Sequence, residues 1–537
     1  MKRLGIVAIA FAIFVSACQS GESDPSPTGE SDPSPTGETG TGGTVTIALG
    51  SFLVENLNPV YATQTDKPYY SGLYDYLIGV TEDGELDPES GVLEEWSSAN
   101  EGMVWTLTLR PGVTWHDGTE MTSEDVKFTL EVYTTEDSIC SSCSLLKSSL
   151  DRVEVVDEQT VEVHLNTPLP RFDRALTPIN DDIAVLPKAY YEEVGAEGFS
   201  AAPIGSGPFR FGEHDFGESI TLEANSDYWN QDRVPGFQTV RFVLVPDATS
   251  RLALVQTGEA DVAEMDPLLA GDAAESGIRL MGPQQGQTLY VAFGHSYRED
   301  FNTNQLAMRK AVALAIDMDA VLAAVYPEGI AERASSFTPT PLREGYIPDL
   351  EPYPHDMAEA QRLIREAGLE GSEITLYQFT QAGMLEAPTL FEAMAGYLEE
   401  AGLAPILVPI DYPVLRPQLF EDNIDEPYLH ILFAQSGAEI DRLNRTFFMS
   451  HESGGLLATY HDPEEMDALA LELAGTADLE AREELAQEVV RTVYDTYGIL
   501  PIATVNSAWA VGPRVQDWRP TNNTFGDLRW ESLTPGD

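Results

Sequence analysis

Three short segments hold residue types at spacings that chemistry uses. His116-Asp117-Gly118 sets an imidazole beside a carboxylate, but the trio follows an alternating strand and ends in glycine. It therefore reads as a tight turn whose glycine takes a positive φ, not as a general-base pair. Gly205-Ser206-Gly207-Pro208 is too short to cradle a phosphate and has no lysine after it; it suits two backbones crossing at close range. Cys140 and Cys143 have the spacing of a redox pair, yet they lie in the Ser-rich stretch Ser138-Ile139-Cys140-Ser141-Ser142-Cys143. Outside the cytoplasm, such a pair is expected to form a local structural disulfide. No Gly-x-Ser-x-Gly elbow occurs, and His451-Glu452 lacks the second histidine of a zinc helix. The eight histidines are dispersed, so spacing points to no metal cluster and no cofactor is expected. Acidic pairs are uninformative in a chain with 88 Asp and Glu. These residues argue against an enzyme.

The N-terminal residues bear on compartment. Lys2 and Arg3 precede an apolar run over residues 4–15, too short for a ~30 Å hydrocarbon core but of signal-peptide length. Val15-Ser16-Ala17-Cys18 resembles the bacterial lipobox, which implies a signal peptide over residues 1–17 and acylation of Cys18. Residues 21–28 are repeated at once as 29–36, and a Gly/Thr run continues to residue 43. So few apolar side chains cannot offset chain entropy, and residues 18–43 are expected to be a disordered tether. The net charge is −58, or −60 without the two bases of residues 1–17, where no acid occurs. Such a surface repels nucleic acid and anionic lipid and suits salty surroundings. The membrane is then met only through the lipid anchor.

From Thr44 onward, periodic segments must position whatever site exists. Residues 44–49 and 104–109 read as strands. Thr122-Ser123-Glu124-Asp125 is a capping box opening a helix to about residue 133. Residues 152–156 and 160–165 form a hairpin around Asp157-Glu158-Gln159. One helix is expected over 304–325. Strands at 374–379, 405–410 and 428–434 alternate with helices near 385–401 and 413–421, the βαβαβ pattern of a covered parallel sheet. A long acidic helix over about 463–497 precedes a last strand at 499–505.

Several segments together resemble the family of extracellular solute-binding proteins that serve peptide, nickel and oligosaccharide importers. They include Leu93-Glu94-Glu95-Trp96, then Trp105 through Leu109-Arg110-Pro111-Gly112 to Trp115-His116-Asp117-Gly118. Further along come Gly205-Ser206-Gly207-Pro208-Phe209, Asp227-Tyr228-Trp229, Gly258-Glu259-Ala260-Asp261 and Met308-Arg309-Lys310-Ala311. The resemblance implies an α/β, two-lobed periplasmic-binding-protein-like fold (class II, large type) with an extra domain inserted in lobe one. Lobe one would comprise residues 44–290 and 506–537, with the insertion at about 66–200, and lobe two residues 291–505. It also implies hinge closure over a small-molecule or peptide ligand, ABC permease subunits as membrane partners, and a monomer outside the cell membrane, in the periplasm or at the extracellular surface. An oligosaccharide or other uncharged ligand is the alternative, as is a receptor that loads a membrane sensor.

The departure from the family lies after the strand at 428–434. Peptide-binding members usually carry an Asp there for the ligand's amino terminus; here Ser436 stands in its place, with Glu439 or Asp441 as substitutes after a local shift. The expected ligand-binding residues are Asn58, Tyr412, Phe433, Gln435, Ser436 and Trp509, with Tyr412 and Trp509 on loops facing the cleft.

Overall fold

Alternation of apolar and polar residues becomes alternation of burial along Val104–Leu109, where every second side chain is buried. This strand belongs to a four-stranded antiparallel sheet in the order Leu93–Ala99, Val104–Leu109, Thr160–Leu165, Leu150–Val155. The computed structural model describes residues 42–536 apart from 63–65, 83, 139, 141–142, 179–182, 283–285, 341–342, 382–383, 436–438, 507 and 522–527. The signal peptide, Cys18 and the tether to residue 41 lie outside the described residues.

Two larger sheets organise the rest. The first has seven strands and centres on Thr44–Leu49, which lies parallel to both Thr239–Leu244 and Val262–Glu264. Late in the chain Trp509–Val511 returns to this sheet and pairs antiparallel with Val262–Glu264 and Arg279–Met281. The second sheet has six strands in the order Ala331–Arg333, Ile499–Val505, Gln287–Gly294, Tyr428–Gln435, Glu373–Gln378, Ala404–Pro409. Each sheet has its own apolar core. One runs from Val45 to Val262 and resumes at Trp509, taking in the four-stranded sheet; the other runs from Leu289 to Val505. The chain passes between these cores twice, between Met281 and Gln287 and between Val505 and Trp509. This is a two-lobed α/β fold.

Three expectations change. The βαβαβ unit is present, with Glu373–Gln378 parallel to both neighbours, but the sheet is mixed because Gln287–Gly294 runs antiparallel to Tyr428–Gln435 and Ile499–Val505. The expected helix over 304–325 is two, Leu306–Ala315 and Met318–Val325, because Ile316 is extended and Asp317 caps the second, accepting from the Ala320 N–H at 3.1 Å. Likewise 463–497 is split into Pro463–Gly475 and Leu479–Asp495 by Asp478, which accepts from Ala481. In each case an aspartate side chain satisfies an orphan N–H and starts a new helix.

Candidate functional site

The His-Asp-Gly turn is structural. Gly118 has φ +85° and its N–H donates to the Trp115 carbonyl. The Gly205 N–H donates to His116 Nδ1 at 3.1 Å, so Nε2 carries the proton and donates to the Gly207 carbonyl at 3.0 Å. Burial lowers this imidazole to about 4, and both nitrogens are spent on holding the 205–207 crossing. A Cβ on Gly205 would lie 1.8 Å from the Leu73 carbonyl oxygen, so the close approach read from the sequence is real. Cys140 and Cys143 are bonded to one another and buried. His164, Glu154 and Glu162 meet on the four-stranded sheet because Arg152 faces His164 and Glu154 faces Glu162 across the hairpin. Arg152 donates to His164 Nδ1 at 3.2 Å and to Glu154 at 2.6 Å, so the ion pair is Arg152–Glu154 and the imidazole accepts beside it.

The expected ligand residues do not sit alike. Asn58 is wholly buried: its Nδ2 donates to Tyr191 Oη at 2.9 Å and its Oδ1 accepts from the Val60 N–H at 3.1 Å. It fixes the turn after the first strand. Trp509 is on a strand, not a loop, at 3 % exposure, with its ring edge-on to Trp518 and Trp530 at 5.7 and 5.4 Å. Tyr412 opens the helix Tyr412–Phe420, against Phe379 at 5.2 Å. Burial raises its phenol, which packs against the second core. Phe433 is half-buried on Tyr428–Gln435, and Gln435 pairs with Gln287 across the sheet. Ser436 lies outside the described residues.

Two features escaped the sequence. Arg171, beside core residue Phe172, reaches across to Glu439 at 2.7 Å and Glu344 at 3.3 Å. Arg482, with no exposed side-chain surface, holds Glu344 at 2.6 Å and Asp441 at 2.5 Å. Both acids considered as substitutes for Ser436 are therefore engaged by arginines. The second feature is Glu386, 1 % exposed, whose Oε1 accepts from Tyr326 Oη at 2.6 Å. Its Oε2 has no hydrogen-bond partner. Burial raises this carboxyl to about 7, with Asp266 and Glu264 of the first-core side adding to the rise. Nothing in the sequence marks these groups, because their partners are 41 to 268 residues away.

Two lobes are thus joined by two chain passes, with ionisable groups gathered where they face each other. Residues 87–449 match the bacterial extracellular solute-binding proteins, family 5 middle, and the chain belongs to that family. A glutathione-binding protein of Pectobacterium atrosepticum is 28 % identical over 330 residues, 60 % of each chain. A dipeptide-binding protein of Escherichia coli is 28 % identical over 333 residues, 58 % of this chain and 60 % of that one. The matches thus span about 60 % of the length of these curated relatives. The fold is shared with a periplasmic binding protein of Helicobacter pylori solved in complex with a peptide, at TM-score 0.81 and 19 % identity, covering 92 % of this chain and 98 % of that one.

Proposed function

We propose that this chain is the exported, lipid-anchored solute-binding component of an ATP-driven importer, that it clamps a peptide or related small polar solute between its lobes, and that it releases the solute unchanged to permease subunits. The observation that carries this is the pair of separate cores joined by only two passes of chain. A ligand touching both lobes binds the closed form better and shifts the hinge equilibrium by that difference. The spent nitrogens of His116 and the buried disulfide support a role without catalysis. The names of the curated relatives favour a peptide.

A peptide's ammonium needs a carboxylate, since a buried unpaired charge is costly. With Glu439 and Asp441 held by arginines, we assign that part to Glu386, whose buried Oε2 has no hydrogen-bond partner. An arriving ammonium would ionise this carboxyl, so a proton is released on binding below about pH 7. Native mass spectrometry identifies any carried solute, and calorimetry at pH 6 in buffers of different ionisation enthalpy counts the protons. A free-amine peptide should release up to one proton and an N-acetylated peptide none. Turnover of the solute would refute the transport role. Binding of free-amine peptides with no proton release would refute the part given to Glu386.

A further inference from the structure

Along a β-hairpin, residues two apart share a face and residues directly opposite meet. Glu162 and His164 are two apart on Thr160–Leu165, and Glu154 of Leu150–Val155 pairs directly with Glu162. That register sets two carboxylates of like charge opposite one another, which costs stability unless a cation joins them. Arg152 meets one of them, donating from Nε to Glu154 at 2.6 Å. Among the described residues no arginine or lysine forms an ion pair with Glu162, and the strand on its other side places Thr106 and Val104 beside Glu162 and His164. His164 Nε2 is shut off from solvent without a hydrogen-bond partner, 3.6 Å from Glu162 and 3.9 Å from Glu154. One ligand atom from each of the three side chains lies within 4.8 Å of the others. Ligand atoms about 2.1 Å from a tetrahedral zinc stand about 3.4 Å apart. Both glutamates, 54 % and 41 % exposed, have room to rotate inward to that spacing. An imidazole with two carboxylates is a zinc-type donor set, whereas calcium and magnesium take oxygen ligands.

We propose that Glu154, Glu162 and His164 bind one zinc-type divalent ion on the four-stranded sheet, with water completing its coordination. All three lie on a single hairpin whose valines belong to the first core, so the site is separate from the imported solute and needs no assumption about it. Arg152 is the competitor. It donates to His164 Nδ1 at 3.2 Å, which keeps the ring proton on Nε2. Its side chain is 51 % exposed and already reaches Asp151 at 2.7 Å, so it can swing aside. Binding then exchanges the tautomer: Nε2 gives up its proton to take the metal, Nδ1 takes one, and the imidazole stays neutral.

The test is calorimetric titration of the whole exported protein with zinc in roughly 1 M KCl, which screens diffuse attraction to the acidic surface. One ion per chain should bind saturably and resist an excess of magnesium. Cobalt at the same site should show the visible absorption of an imidazole-ligated ion. His164→Gln and Glu162→Gln should each weaken zinc binding by at least about tenfold, the loss that even outer-sphere partners cause. Arg152→Gln should act in the opposite direction and tighten it up to about fivefold, the worth of an exposed ion pair. His355→Gln, which removes an exposed histidine outside this sheet, should change nothing. The proposal is overturned if zinc gives no saturable site, if His164→Gln or Glu162→Gln keeps wild-type affinity, if Arg152→Gln weakens binding, or if His355→Gln weakens it as much as His164→Gln.

Discussion

Replacing Arg171 by Gln should open the unliganded protein. The guanidinium spans the two cores, 2.7 Å from Glu439 and 3.3 Å from Glu344, and the three side chains are 24 %, 16 % and 17 % exposed. An exposed pair contributes about 0–1 kcal/mol, and breaking a fully buried one costs about 3–5 kcal/mol. At this intermediate burial we expect about 1–2 kcal/mol, a 5- to 30-fold fall in the closed-to-open ratio. Arg482 keeps Glu344 and Asp441 paired in the variant, so lobe two should retain its fold. The 2.7 Å contact with Glu439 is below even the ~3 Å screening length of 1 M salt, so that share of the effect should persist there. Small-angle scattering of the ligand-free protein, in low and high salt, measures the closed fraction through the radius of gyration. Equal radii for wild type and Arg171→Gln in both conditions would refute the reasoning.

Three other outcomes are expected. Glu386→Gln should alter the pH dependence of stability. The folded carboxyl, raised to about 7 from the ordinary 4.5, binds more protons than the unfolded one between those values, so stability from this group is lost as pH rises from about 4.5 to 7. The variant should lack that decline and be up to about 3 kcal/mol more stable relative to wild type at pH 8 than at pH 4, read from urea unfolding; parallel pH profiles would count against it. Gly205→Ala places a methyl 1.8 Å from the Leu73 carbonyl oxygen and should cost about 3 kcal/mol in the same assay. Trp509→Ala should cost about 3–5 kcal/mol, because it empties one corner of a cluster in which Trp518 and Trp530 stack at 5.0 Å; a near-neutral result would place that ring outside the core.

Short-range physics was legible before any fold was known. The glycine turn at residue 118, the Thr122–Asp125 box and the alternating strand at 104–109 each depend on residues within a few positions of one another. The family motifs lay in the chain as well. Helix breaks at Asp317 and Asp478 are hidden in the sequence because apolar spacing continues across a cap that interrupts the backbone. Tyr412 on its helix and Trp509 on its strand depart from the loops expected of them because sequence shows where an aromatic stands but not which layer closes over it.

By itself, then, the chain determined its local turns, its strands and most of its helices, since these answer to neighbours. Tertiary structure alone decided the strand directions in the second sheet, the burial of Asn58 and Trp509, and the company of each charge. Glu439 meets Arg171 across 268 residues and Glu386 meets Tyr326 across 60. Such pairings are set by how two cores come together, and in a chain so rich in acids no local pattern marks which carboxylate will be left to bind.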